Sequence, residues 1–222
     1  MIGVAITFIG LLVILFTSLI FVGKRIYKAK LKEDYFLRSN VPFELIKISN
    51  IELPILFLLI GFVTTGVACC SGFLWVRFYM SSSYQTPLFI IGCFMFLTIL
   101  GMFFFDFTNY KTHFLFFILS VASSVVFATF VGSMFFAFKV INETLSYIFA
   151  IISFVIALGI VCLVLNPKFG SWSKLEKVEI DGTIQYIRPK RYVVAYTEWI
   201  LMSLDILLVA LGLIGYFIFY LV

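Results

Sequence analysis

Six runs of apolar residues, each about as long as a bilayer is thick, constrain this chain more than any other feature. They lie at about 2–23, 54–79, 87–108, 112–138, 145–166 and 195–221, and roughly 20 apolar residues in a helix cross the hydrocarbon layer. The runs are continuously apolar instead of alternating, which predicts helices and not a barrel. Hydrophobic residues make up 63% of the chain and charged residues 12%, far from a soluble composition, so no separate soluble domain is expected. The expected fold is an all-α integral membrane protein, one domain over 1–222 built as a bundle of six transmembrane helices. The first run lacks a basic leader and a small-residue cleavage site before Lys24, and it is expected to remain as a span.

Charge sets the expected orientation. With six spans, the connections 24–53, 109–111 and 167–194 fall on one side, and they hold 14 of the 16 Lys and Arg residues. The positive-inside rule then places both long loops in the cytoplasm and both termini outside or in a lumen. Asn142-Glu143-Thr144 forms a glycosylation sequon in a loop that this topology puts outside. Lys24, Arg25, Lys28 and Lys30 after the first span, and Arg188, Lys190 and Arg191 before the last, are candidates for contact with anionic headgroups, each basic residue contributing about 1 kcal/mol near such a surface. In the loop between them, Asn40-Val41-Pro42-Phe43-Glu44 and Asn50-Ile51-Glu52-Leu53-Pro54 resist a continuous helix and predict an interfacial, partly ordered segment. In the second long loop, Lys177–Ile180 and Thr183–Ile187 flank Asp181-Gly182, the pairing favoured by a tight turn. A small cytoplasmic β-hairpin is expected near 177–187.

Within the spans the informative residues are the small and the polar ones. Small residues through the second span, from Gly61 to Gly72, predict a helix buried among neighbours. Ser81 to Gln85 is expected to form a turn before Pro87 restarts a helix. The third and fourth spans are separated so briefly that they must form a tight hairpin, which gathers Asp106, Asn109, Lys111 and the single histidine, His113, at the cytoplasmic interface. That cluster is expected to close helix ends through hydrogen bonds. Ser120, Ser124, Ala128 and Gly132 recur every fourth residue, a small-residue ridge expected to face the bundle interior. Glu198 and Asp205 lie seven residues apart on one face of the last span. Carboxylates there are functional or packing candidates by default. Glu198 is expected near the cytoplasmic end, within reach of His113; Asp205, about 10 Å deeper, is expected to be protonated or bonded to a Ser, a Thr or the backbone.

Catalytic chemistry finds little material. The chain has no phosphate-binding glycine loop, no H-E-x-x-H and no G-x-S-x-G. Its four cysteines, Cys69, Cys70, Cys93 and Cys162, all fall within spans without ligand spacing, so no metal, no cofactor and no catalytic residue is assigned.

Several stretches in order resemble the DRAM/Frag family of six-span eukaryotic membrane proteins. They are Val41-Pro42-Phe43 with Ile48-Ser49-Asn50, then Val76-Arg77-Phe78-Tyr79, then Gly101 to Asp106 followed by His113, and finally Ala195-Tyr196-Thr197-Glu198-Trp199. The family includes autophagy modulators, adaptors of a phosphatidylinositol 4-kinase and GPI-anchor remodelling factors. Two features depart from its pattern: Asn50 stands where the family has Asp, and the charge count inverts the family's cytoplasmic termini. The resemblance implies a non-enzymatic protein of the plasma membrane or an endomembrane of lysosomal or Golgi type. Such a protein organises lipid or scaffolds a membrane or cytosolic partner, with no nucleic acid involved. Two alternatives stay open: a proton- or cation-coupled carrier or channel subunit using Glu198 and Asp205, and an accessory subunit of a larger membrane complex.

Overall fold

The computed structural model describes residues 2–45, 53–75, 82–105, 110–137, 143–166, 176–180, 183–187 and 193–220. Six helices follow in order: α1 (Ile2–Leu31), α2 (Leu53–Trp75), α3 (Ser82–Phe104), α4 (Tyr110–Ala137), α5 (Glu143–Val164) and α6 (Val193–Tyr220). Each is long and apolar enough to cross a membrane, so the chain is a multi-pass helical membrane protein. Between α5 and α6, β1 (Glu176–Ile180) pairs antiparallel with β2 (Thr183–Ile187), with Glu176 opposite Ile187 and Ile180 opposite Thr183. Asp181 and Gly182 lie outside the described residues.

Two expected boundaries are corrected. The loop expected to begin at residue 24 is still helix, because α1 continues to Leu31 and carries Lys24, Arg25, Lys28 and Lys30 with it. Lysine and arginine are good helix formers, and 30 residues at 1.5 Å each reach about 45 Å, well past the hydrocarbon layer. The helix stops at Lys32, which adopts a positive φ of 57° while its N–H still bonds the Lys28 carbonyl at 3.0 Å. The second correction is at Pro87, expected to open the third helix. It lies inside α3, which starts at Ser82. Packing supports that extra turn: Gln85 is buried, and the Tyr84 ring meets Phe130 of α4 edge-on at 6.5 Å.

Consecutive helices pack as neighbours from α1 to α5, while α6 touches α1, α2, α4 and α5 and so forms the hub. Of the six helices, α6 is the most deeply buried. The outward surface is large and apolar, with Phe21, Phe57, Val155 and Leu158 turned away from the core, as lipid contact requires. Close helix approach comes from glycine. A Cβ on Gly101 of α3 would strike the Phe116 ring of α4, and one on Gly132 would come within 2.9 Å of Phe154 on α5.

Candidate functional site

The polar chemistry of the bundle gathers around His113, the fourth residue of α4. Its Nδ1 lies 2.7 Å from the carbonyl of Phe105 and 3.1 Å from that of Met102, at the end of α3. A carbonyl only accepts, so Nδ1 carries the hydrogen and donates it to the helix end, where last-turn carbonyls lack intrahelical partners. Nε2 therefore faces α6, 2.8 Å from Oε1 of Glu198. One proton lies between these two atoms, whether the pair is imidazolium–carboxylate or imidazole–carboxylic acid. The side chains are 3% and 0% exposed, and Oε2 of Glu198 is buried without a hydrogen-bond partner.

A folded segment after α1 covers this pair. Tyr35 donates its hydroxyl to the Val41 carbonyl at 2.7 Å, and the Trp199 indole N–H donates to the Asn40 carbonyl at 3.1 Å. The side chain of Asn40 accepts from the Phe36 N–H at 3.1 Å and donates to Oε2 of Glu44 at 2.8 Å. A single 3-10 turn, Pro42–Leu45, then seats against α1, α3 and α6. Leu45 packs so closely on Gly23 that a Cβ there would approach to 2.9 Å. Rings of Phe16, Tyr35 and Phe103 surround Trp199 at 6.1, 6.4 and 6.5 Å. Burial, with the charge of Glu44 beside it, holds the Tyr35 hydroxyl well above the usual tyrosine range.

Deeper in the bundle, Asp205 is fully buried on α6, and neither carboxyl oxygen has a hydrogen-bond partner. Ser124 of α4 faces it, but that hydroxyl donates to the Ser120 carbonyl at 2.8 Å. Ser124 can thus supply the expected serine contact, its one hydrogen shared between the Ser120 carbonyl and the Asp205 carboxyl. A carboxylate at the centre of a membrane helix costs about 3 kcal/mol, several times the roughly 0.6 kcal/mol of an average hydrogen bond there. A single serine would not offset it.

Neither family models, nor curated proteins, nor solved structures match this chain.

Its own geometry therefore carries the assignment. Of the expected corner residues, His113 and Glu198 meet, Lys111 is exposed, and Asp106 and Asn109 lie outside the described residues. Arg188, Lys190 and Arg191 also lie outside them. Ser120, Ser124, Ala128 and Gly132 are all buried. Lys24 is half-buried, while Arg25, Lys28 and Lys30 are exposed, and Lys28 pairs with Asp34 at 2.8 Å. Sequence reasoning expected an interfacial, partly ordered segment from Asn40 to Pro54 and missed the Tyr35–Asn40–Glu44–Trp199 knot. Its one local signal was the turn-forming Ser39-Asn40-Val41-Pro42, since Asn side chains bond nearby backbone. Among the described residues, no group of three or more His, Cys, Asp or Glu side chains is placed to hold a metal ion.

Proposed function

We propose that this chain is a non-enzymatic multi-pass membrane protein that organises anionic lipid, or scaffolds a membrane-associated partner, at the end of the bundle carrying its basic residues. The observation that carries this reading is the enclosure of His113 and Glu198. The only histidine donates to the end of α3 and engages Glu198, an arrangement that locks three helices together and keeps that histidine and its carboxyl partner away from solvent. Arg25, Lys28 and Lys30 extend from the apolar part of α1 on continuous helix, a rigid basic projection suited to phosphate-bearing headgroups. By the charge asymmetry of the loops, the segment carrying β1 and β2 falls on the same side as that projection in this reading, and its sequence adds Arg188, Lys190 and Arg191 as headgroup candidates. The resemblance to the DRAM/Frag family supports the non-enzymatic role and a plasma or endomembrane location, while the cytoplasmic termini it implies run against the orientation used here. A carrier using Glu198 is less supported, since the residue is enclosed on all sides.

The test is purification of the full chain from membranes, with mass spectrometry of bound lipids, beside a variant carrying Arg25→Glu, Lys28→Glu and Lys30→Glu. Enrichment of anionic lipid in the wild type, lost in the variant with the fold retained, is the expected result. Equal lipid profiles, with no co-purifying protein lost either, would remove the proposal.

A further inference from the structure

The chain after α1 turns back along the helix it has just left. Leu45 packs on Gly23, and the Tyr35 ring meets Tyr27 edge-on at 5.1 Å. Tyr27 lies one helical turn past residue 23, where the apolar run ends, so Tyr35 and its neighbours stand about 6 Å beyond that end, at the depth of phospholipid headgroups. Along this turn side chains alternate between core and surface: Tyr35 is buried and Leu37 packs on the core, whereas Phe36 and Arg38 are exposed. The Phe36 backbone is pinned. Its N–H donates to Asn40 Oδ1 at 3.1 Å, and its carbonyl accepts from the N–H groups of Ser39 at 3.0 Å and Asn40 at 2.8 Å. The residue nevertheless stays 49% exposed, and the Arg38 guanidinium carbon lies over its ring, 5.5 Å from the centroid. Stacking of this kind steadies the guanidinium plane and leaves its N–H edge open.

We propose that Phe36 and Arg38 form a headgroup site for an anionic glycerophospholipid, with the ring seated at the base of the acyl chains and the guanidinium on the phosphate. This inference rests on the lipid reading of the basic end of α1 and adds to it the residues that grip the headgroup. A large apolar ring held outward by its backbone is costly in water, and the bilayer interface removes that cost. Arg38 pairs with no carboxylate among the described residues, whereas Lys28 is engaged by Asp34 at 2.8 Å. The planar fork of Arg38 can take two phosphate oxygens at once. Between residues 24 and 38 six basic residues stand against two acids, so the surroundings favour an anionic headgroup over a zwitterionic one.

Phe36→Trp in the full chain, reconstituted in vesicles of phosphatidylcholine with phosphatidylserine, adds a fluorescence increment over the wild type that reports this position. Lipid brominated near the head end of its acyl chains should quench that increment, and lipid brominated near the tail should quench it less. Quenching by acrylamide from the water, with none by either brominated lipid, overturns the proposal. Arg38→Gln should lower the enrichment of phosphatidylserine over phosphatidylcholine in the purified protein about fivefold, the worth of one basic charge near an anionic surface. Arg38→Lys should recover only part of it, since lysine makes a single point contact. Both side chains are exposed, so these variants are expected to keep the wild-type Tm. Unchanged enrichment in Arg38→Gln overturns the proposal, as does a co-purifying protein that Phe36→Ser releases. If charge reversal at Arg25, Lys28 and Lys30 abolishes the enrichment while Arg38→Gln keeps it, this site fails and the lipid reading stands; if neither changes it, both fail.

Discussion

At the scale of single residues, the fixed tautomer of His113 makes a sharp distinction between two substitutions of Glu198. With the hydrogen on Nδ1 held by the α3 carbonyls, neutral Nε2 accepts. In Glu198→Gln the new amide N–H donates to it, so stability should change by less than about 1 kcal/mol. Glu198→Leu strands a buried ring nitrogen and should cost about 1–3 kcal/mol. Denaturation in detergent checks both, and equal losses would mean that charge, not the hydrogen bond, holds the helices. Tyr35 gives a pH dependence with a definite sign. Its hydroxyl titrates above the usual value in the folded protein, so the unfolded chain loses that proton first and binds fewer protons. Stability should therefore fall as pH rises from about 10 toward the folded-state value. Tyr35→Phe should remove that part of the alkaline loss, measured as Tm against pH. The seven-residue spacing of Glu198 and Asp205 was legible as a shared face, and the reach of Glu198 to His113 followed from where the spans begin. Which serine meets Asp205 was not legible, because the Ser124 hydrogen has two acceptors, the Ser120 carbonyl and the Asp205 carboxyl, that only packing brings together.

At the scale of elements, the α3–α4 hairpin rests on one close approach. Gly101 faces the Phe116 ring, which stacks on Phe105 at 5.2 Å, and Phe105 supplies the carbonyl that His113 bonds. A methyl at Gly101 would meet the body of that ring, not a flexible tip, so it forces the helices apart. Gly101→Ala should cost about 1–3 kcal/mol, the usual range for overpacking. Adding Phe116→Ala should recover part of the loss, so that the double variant is more stable than the sum of the two single effects. Thermal unfolding of the three variants measures this, and strict additivity would place Gly101 outside the seam. Hydropathy made the six helices legible but not their ends. At α1 the apolar signal stops near residue 23, whereas helix propensity continues through Lys24–Lys30. At α3 a proline read as a starting point sits one turn inside, where the Tyr84 ring packs on Phe130 of α4. The 32–45 knot was hidden for a different reason: Trp199 closes it from the far end of the chain, a contact no local pattern announces.

At the scale of the whole molecule, the bundle is organised around a last helix that four others contact. Its enclosure accounts for why this span carries buried carboxyls while α5, largely turned to lipid, carries buried serines at Ser146 and Ser153 and no buried acid. Orientation is expected from charge: with six spans, the basic end of α1 and the basic residues in the sequence of 167–194 are expected on one side, and moving either across a membrane is opposed by the K/R bias of short loops. Sequence alone made that asymmetry countable, because it depends on composition and span number and on no tertiary contact. The expected topology places Met1 and Val222 outside or in a lumen with 32–45 and 176–187 in the cytoplasm. Single cysteines introduced at exposed Glu33 and at Leu145 should separate under a membrane-impermeant thiol reagent in a background without the four native cysteines. In sealed right-side-out vesicles, or in intact cells if the protein reaches the surface, label should reach position 145 and not position 33 until the membrane is permeabilised. The reverse pattern would set the termini in the cytoplasm, as the family resemblance implies, and would move the basic projection of α1 away from the anionic leaflet.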